Sequence, residues 1–230
     1  MLTIERLKIE QGDFALTADL TVPEGAHVAV IGPSGAGKSS LLATIAGFFA
    51  PAAGKVLWQG SDITDTAPGA RPLSIIFQDN NLFPHLSAAQ NVGLGLKPSL
   101  RLTGAEAERV SDCLLRVGLP GMGARKPAEL SGGQQSRVTL ARALLRARPI
   151  LLLDEPFAAL GPGLKAEMLD LVLELATTSR ATVLMVTHDP ADAVQLAGQT
   201  ILVADGTAHA PQDTGALFAN PPASLRAYLK

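Results

Sequence analysis

The chain predicts an α/β fold: a phosphate-loop core carrying an N-terminal antiparallel β-subdomain and an inserted α-helical subdomain. Three observations predict it. Gly32-Pro33-Ser34-Gly35-Ala36-Gly37-Lys38-Ser39 fits G-x-x-x-x-G-K-[ST] directly after an apolar run, residues 27–31, that reads as a buried strand. Residues 150–153 form a second, wholly aliphatic run that delivers Asp154 and Glu155 at its end, the pattern of a parallel strand buried on both faces. From Asn80 to about residue 130 the texture changes to helical pieces separated by Pro84, Gly93, Gly95, Pro98, Gly104, Gly118, Pro120 and Gly123.

Taken in order, residues 2–10 and 14–22 alternate as strands around a turn at Gln11-Gly12-Asp13, and together they predict a small antiparallel sheet beside the nucleotide core. Pro23-Glu24-Gly25 turns the chain into the phosphate-loop strand, and a helix over residues 38–46 follows. Residues 48–54 read as a loop, 55–59 as a short strand, and 73–77 as another that ends at Gln78. Open α/β sheets place ligand-contacting groups at such strand ends. Within the inserted part, residues 105–117 are the clearest amphipathic helix. Ser131 fits an N-cap, and residues 135–148 continue as a helix. Beyond Glu155 the pattern predicts helix over 164–176, strand over 182–186, helix over 191–197, strand over 200–203 and short helices over 214–229.

Composition narrows the class. The chain has 230 residues, a net charge of −2 and 17% charged residues, so no global positive field recruits nucleic acid. Arg137, Arg142, Arg146 and Arg148 read as a solvated helix face with one structural ion pair. The single cysteine, Cys113, lies at helical spacing from Val110 and Leu114 and reads as core. His27, His85 and His209 show no metal-ligand spacing. No apolar run approaches a membrane span, and the first residues lack the pattern of a signal peptide, which predicts a cytoplasmic chain.

The chemistry these residues suit is phosphoanhydride hydrolysis, which needs charge neutralisation, metal placement, an oriented water and closure around the terminal phosphate. Gly32, Pro33, Ser34, Gly35, Ala36, Gly37, Lys38, Ser39 and the adjoining Ser40 are the candidate nucleotide-contacting residues. Lys38 neutralises phosphate charge. Ser39 offers a hydroxyl to Mg²⁺, with Asp154 supporting the metal through its water and Gln78 a further candidate ligand. Glu155 is the candidate for polarising the attacking water, and Gln78 and His188 for sensing or holding the γ-phosphate and that water.

With Leu130-Ser131-Gly132-Gly133-Gln134 lying between Gln78 and the Asp154-Glu155 pair, and His188 after them, the chain resembles the nucleotide-binding subunit of ATP-binding cassette (ABC) transporters over essentially its full length. The resemblance implies a P-loop nucleotide hydrolase core of ABC type, ATP and Mg²⁺ as cofactors, and one cassette over residues 1–230 with residues 80–148 as the helical insertion. It implies a homodimer in which Leu130, Ser131, Gly132, Gly133 and Gln134 of one copy meet the ATP held by the other. It also implies that residues 79–92 receive integral membrane permease subunits, so that the chain is peripheral on the cytoplasmic face of the bacterial inner membrane. Stretches 77–86, 89–96 and 149–160 are similar to the ATP-binding subunits of bacterial thiamine importers, with an extracytoplasmic thiamine-binding protein as an indirect partner. In that region Phe83, Leu86 and Val92 are expected to shape a groove for a permease helix.

Two positions depart from the family pattern. Gly161 follows Ala159-Leu160 where the family usually carries an aspartate, and Phe14 lies nearer the phosphate loop than the family's adenine-stacking aromatic. An importer for another small solute, or a soluble cassette ATPase acting on nucleic acid or ribosomes, remains open at this level.

Overall fold

The computed structural model describes residues 1–78 and 81–228, the last two of these by backbone alone. Asp79, Asn80 and Leu229, which belong to the expected permease-facing stretch, helical insertion and C-terminal helices, lie outside the described residues.

Strands β1 (Leu2–Gln11) and β2 (Phe14–Val22) pair antiparallel, with Leu2, Ile4, Leu7 and Ile9 buried against Leu16, Ala18, Leu20 and Val22. The alternation slips once, between Ile4 and Leu7, where Arg6 adopts a φ of 43° and the register shifts as at a bulge. β3 (His27–Ile31) leads through the phosphate loop into α1 (Lys38–Ala46). Then come β4 (Ala53–Trp58), β5 (Ser61–Asp62) and β6 (Leu73–Ile76). The helical part comprises α2 (Ala88–Gly93), α3 (Gly104–Arg116), a 3₁₀ turn (Pro127–Glu129) and α4 (Gly132–Leu145). The core resumes with β7 (Ile150–Asp154), α5 (Pro162–Ser179), β8 (Thr182–Val186), α6 (Pro190–Leu196) and β9 (Gln199–Ala204). Short elements finish it: β10 (Thr207–Ala208), β11 (Gln212–Asp213), α7 (Thr214–Ala219) and α8 (Ala223–Tyr228).

The strands run in the order β5-β4-β1-β2-β10-β9-β3-β8-β7-β6, with β11 also on β9. From β9 to β6 all neighbours are parallel. The antiparallel strands therefore do not form a separate sheet beside the core. β10 pairs parallel with β2 and antiparallel with β9, so two residues join both parts into one sheet. Alternate core residues go to opposite faces, as a pleated strand requires. Val28, Val30, Leu152 and Leu184 pack with α1 and the N-terminal strands, while Ala29, Ile31, Leu153 and Met185 pack with α4, α5, α6 and the helical part.

Element ends differ from the sequence reading for local reasons. α4 starts at Gly132 because the Ser131 hydroxyl accepts the Gln134 N–H while the Gln134 side chain accepts the Ser131 N–H, a reciprocal cap. It stops at Leu145 rather than at 148, because Ala147 turns left-handed at φ 51° ahead of Pro149, which disfavours helical geometry at Arg148. α5 extends past both expected ends, opened by Pro162 in its first turn and closed by Arg180 at φ 53°.

Two side-chain readings change and one holds. Val92 is fully buried, so it packs the helical part instead of shaping a surface groove, whereas Phe83 is 47% exposed. Of the four arginines only Arg148 is exposed; the other three are partly buried on α4 or at its end. Arg137 forms the expected ion pair, with Glu167 at 3.1 Å, but Arg142 and Arg146 donate to the carbonyls of Asn81 and Gly69 and so tie α4 to two loops. Cys113 is core, its Sγ 3.3 Å from the Ala141 carbonyl.

Candidate active site

The phosphate loop is set by backbone freedom at two glycines. Gly32 has φ 151°, and a Cβ there would stand 1.9 Å from the Val203 carbonyl oxygen of β9. Gly37 has φ 101°, and a Cβ there would strike the Phe14 ring at 2.4 Å. Any side chain at either position displaces backbone or the ring beneath the loop. Gly37 is also the N-cap of α1 and supplies no side-chain acceptor, and no acidic residue occupies the first turn. The first N–H groups of α1 are thus left for an anion, reinforced by the helix dipole.

Lys38 is 8% exposed and folds back across the loop, its Nζ donating to the Gly32 and Pro33 carbonyls at 2.7 and 2.9 Å. Burial pushes its pKa down, and the nearby Glu155 and Asp154 charges oppose that shift. The Ser39 hydroxyl donates to Asp154 Oδ1 at 3.0 Å, bringing the start of α1 to the end of β7. Burial pushes the Asp154 pKa up; the Ser39 hydrogen bond works against this and the adjacent Glu155 adds to it. A divalent cation beside this hydroxyl and carboxylate relieves a buried negative charge, so the residues present fit Mg²⁺. Among the described residues no group of three His, Cys, Asp or Glu could hold a metal ion.

Glu155 sits just beyond β7 in the left-handed region, at φ 46°, its N–H bound to the Val186 carbonyl of β8. His188 follows β8, and its Nδ1 lies 3.1 Å from Glu155 Oε2. Both line an open cleft of about 570 Å³ with Gly32, Ser34, Gly35, Gly37, Lys38, Ser39 and Ser40. Pro33 and Ala36 complete the loop without lining that cleft. Two further lining residues come from the first hairpin: Phe14, which the sequence already sets near the phosphate loop, and Gln11, which it does not single out. For Gln11 the sequence offers a turn alone, and it takes the pairing of Gln11 with Phe14 to bring it over the loop.

The structure does not bring every candidate together. Gln78 lies two residues past β6 on the same edge of the sheet, exposed and outside the cleft lining. Leu130, Ser131, Gly132, Gly133 and Gln134 are also absent from it. Ser131 and Gly132 are exposed at the start of α4, while Leu130 is buried and Gly133 faces Leu164 of α5.

The family model described as "ABC transporter" matches residues 16–158, more than half of the chain. A thiamine import ATP-binding protein ThiQ from Cereibacter sphaeroides is 64% identical over 229 residues, covering 100% of this chain and 99% of the relative. One from a Ruegeria species is 56% identical over the same length and coverage. Among solved structures, a dimeric ATP-binding cassette in a post-hydrolysis state with ADP and inorganic phosphate superimposes with a TM-score of 0.80 at 31% identity, over 93% of this chain and 99% of that one. No helix among the described residues is long and apolar enough to cross a membrane. Phosphate loop, strand-end carboxylates and inserted helices thus agree with the comparisons: the chain belongs to the ABC transporter family, as an ATP-hydrolysing subunit that works with ATP and Mg²⁺.

Proposed function

We propose that this subunit powers uptake of thiamine or its phosphate esters, as a homodimer bound to integral membrane permease subunits on the cytoplasmic face of the inner membrane. An extracytoplasmic thiamine-binding protein supplies the solute to that complex. The observation that carries the solute is the full-length likeness to thiamine import subunits, which includes the stretch 77–96 next to the core rather than the nucleotide loop alone. Residues 80–148 are taken as the inserted subdomain, with α4 as its last helix.

The chemistry follows from the cleft. The loop N–H groups and the start of α1 receive the β- and γ-phosphates, and Lys38 exchanges its two carbonyl partners for phosphate oxygens. Mg²⁺ bound with the nucleotide would supply neutralisation of the charge that develops on the phosphates. Ser39 and Asp154 would hold it, the carboxylate through water, and Gln78, at the neighbouring strand end, would be a further ligand. Glu155 accepts a hydrogen bond from the water in line with the γ-phosphorus, while His188, already against the glutamate, contacts the terminal phosphate. Leu130 to Gln134 close the cleft of the opposite copy, which accounts for their absence from the cleft of their own.

The test is reconstitution with the cognate permease and binding protein. Thiamine is expected to stimulate ATP hydrolysis and to be taken up. An active complex that responds to another solute, and transports neither thiamine nor its phosphates, overturns the solute and leaves the motor intact.

A further inference from the structure

We propose that Lys165 is a positioning residue for His188: it holds the loop that carries the histidine against the start of α5 and so keeps the imidazole in register with Glu155. The proposal rests on the reading that His188 contacts the terminal phosphate. Lys165 lies in the first turns of α5, and its Nζ is 2.7 Å from Asp189 Oδ2 and 2.8 Å from Asp192 Oδ1. The lysine side chain is 15% exposed and that of Asp192 10%, so this half of the bridge lies largely out of water, while Asp189 is 39% exposed.

Each carboxylate has a second task next to the histidine. Asp189 Oδ1 accepts the Ala191 N–H at 2.9 Å and caps α6. Asp192 Oδ2 accepts the Thr187 hydroxyl at 2.5 Å, and Thr187 Oγ1 in turn accepts the Asp189 N–H at 3.0 Å. The residues immediately before and after His188 are therefore both fixed, through carboxylates that meet on one cation. The imidazole itself is mostly exposed, with a side-chain exposure of 56%, and its Nδ1 meets Glu155 Oε2.

Lys165 also belongs to the other side of the pair. Its N–H donates to the Gly161 carbonyl at 2.9 Å, at the end of the segment that follows Glu155. Gly161 brings no side chain to that junction, and α5 has no side-chain cap. One lysine thus references the Glu155 segment and the His188 loop to a common point. Displacements of about 1 Å at such groups cost large factors in rate.

In the purified complex with permease subunits, Lys165→Met is expected to lower kcat about tenfold while the KM for ATP stays within about twofold, and Lys165→Arg is expected to recover most of the rate. Because Lys165→Met leaves Asp192 buried without its cation, Asp189→Asn serves as the second variant. It retains a good cap and the Lys165–Asp192 pair while removing the charge beside His188, and about a threefold loss of kcat with unchanged melting is expected. Single-turnover rates in a His188→Ala background decide the matter: there both substitutions are expected to change the rate less than about twofold. Equal fractional losses in both backgrounds, or full kcat in both single variants, overturn the positioning role alone. A fully active His188→Ala protein overturns the role of His188 and this proposal with it.

Discussion

Glu155 holds a backbone conformation that costs a non-glycine residue on the order of 1 kcal/mol, at the residue proposed to orient the attacking water. Its N–H bond to Val186 and the contact with His188 pay for part of that strain in the folded chain. Glu155→Gln keeps the shape and the backbone and removes only the charge. It is expected to retain nucleotide and to lower turnover by about a hundredfold or more. Lys38→Ala is expected to lose nucleotide affinity instead, because it deletes charge neutralisation already present in the ground state. Equilibrium binding and single-turnover hydrolysis on both proteins check the pair, and near-normal hydrolysis by Glu155→Gln counts against its role. Lys38, Ser39, Asp154 and Glu155 are legible in the sequence because each belongs to a short contiguous string with a strand before it. Lys165 and Asp189 are not legible, since 24 residues and a strand separate the two partners.

At the scale of elements, three helices open with a Ser or Thr followed three residues later by Gln or Glu: Ser87 with Gln90, Thr103 with Glu106, and Ser131 with Gln134. Each pair satisfies two N–H groups that the helix would otherwise leave unpaired. α5 has no such device. Gly161 occupies its cap with φ −66° and ψ 157°, angles open to any residue, and a Cβ there would meet nothing within 4 Å. Gly161→Asp is therefore expected to add a cap and restrict the unfolded chain, worth about 0.5–1 kcal/mol, or roughly 1–4 °C in Tm for a chain this long. Thermal unfolding reads the first effect. The Hill coefficient for ATP reads whether the same carboxylate couples two copies, and an unchanged coefficient shows that the missing aspartate does not limit coupling. The long aliphatic strands are readable because their pattern spans several residues. β5, β10 and β11 are two-residue pairings, too short to leave any period, so the join between the two parts of the sheet is invisible in sequence.

For the whole molecule, the separation of Ser131 and Gly132 from the phosphate loop of their own chain makes a composite site testable without a partner structure. A Lys38→Ala copy paired with a Ser131→Ala copy leaves one intact site and one doubly damaged site per heterodimer. Partial recovery of hydrolysis on mixing is expected. No recovery at any ratio, in heterodimers verified by tag exchange, counts against the head-to-tail arrangement. With ATP and Mg²⁺, the Glu155→Gln chain is expected to shift from monomer to dimer in sedimentation, since the nucleotide persists and bridges the copies.

The phosphate-loop strand β3 comes early in the chain, yet its two neighbours in the sheet, β8 and β9, end at Val186 and Ala204. A ribosome must therefore release most of the polypeptide before the loop can acquire its supporting edges, and the chain closes long-range pairings late, when they are slowest to find. Nascent chains arrested at residue 180 are expected not to be retained on immobilised ATP, whereas chains extended well past residue 205 clear of the exit tunnel are. Until then β3 stands without either neighbour and β7 is paired on its β6 side alone, so these aliphatic strands stay exposed to chaperones until β8 and β9 have emerged.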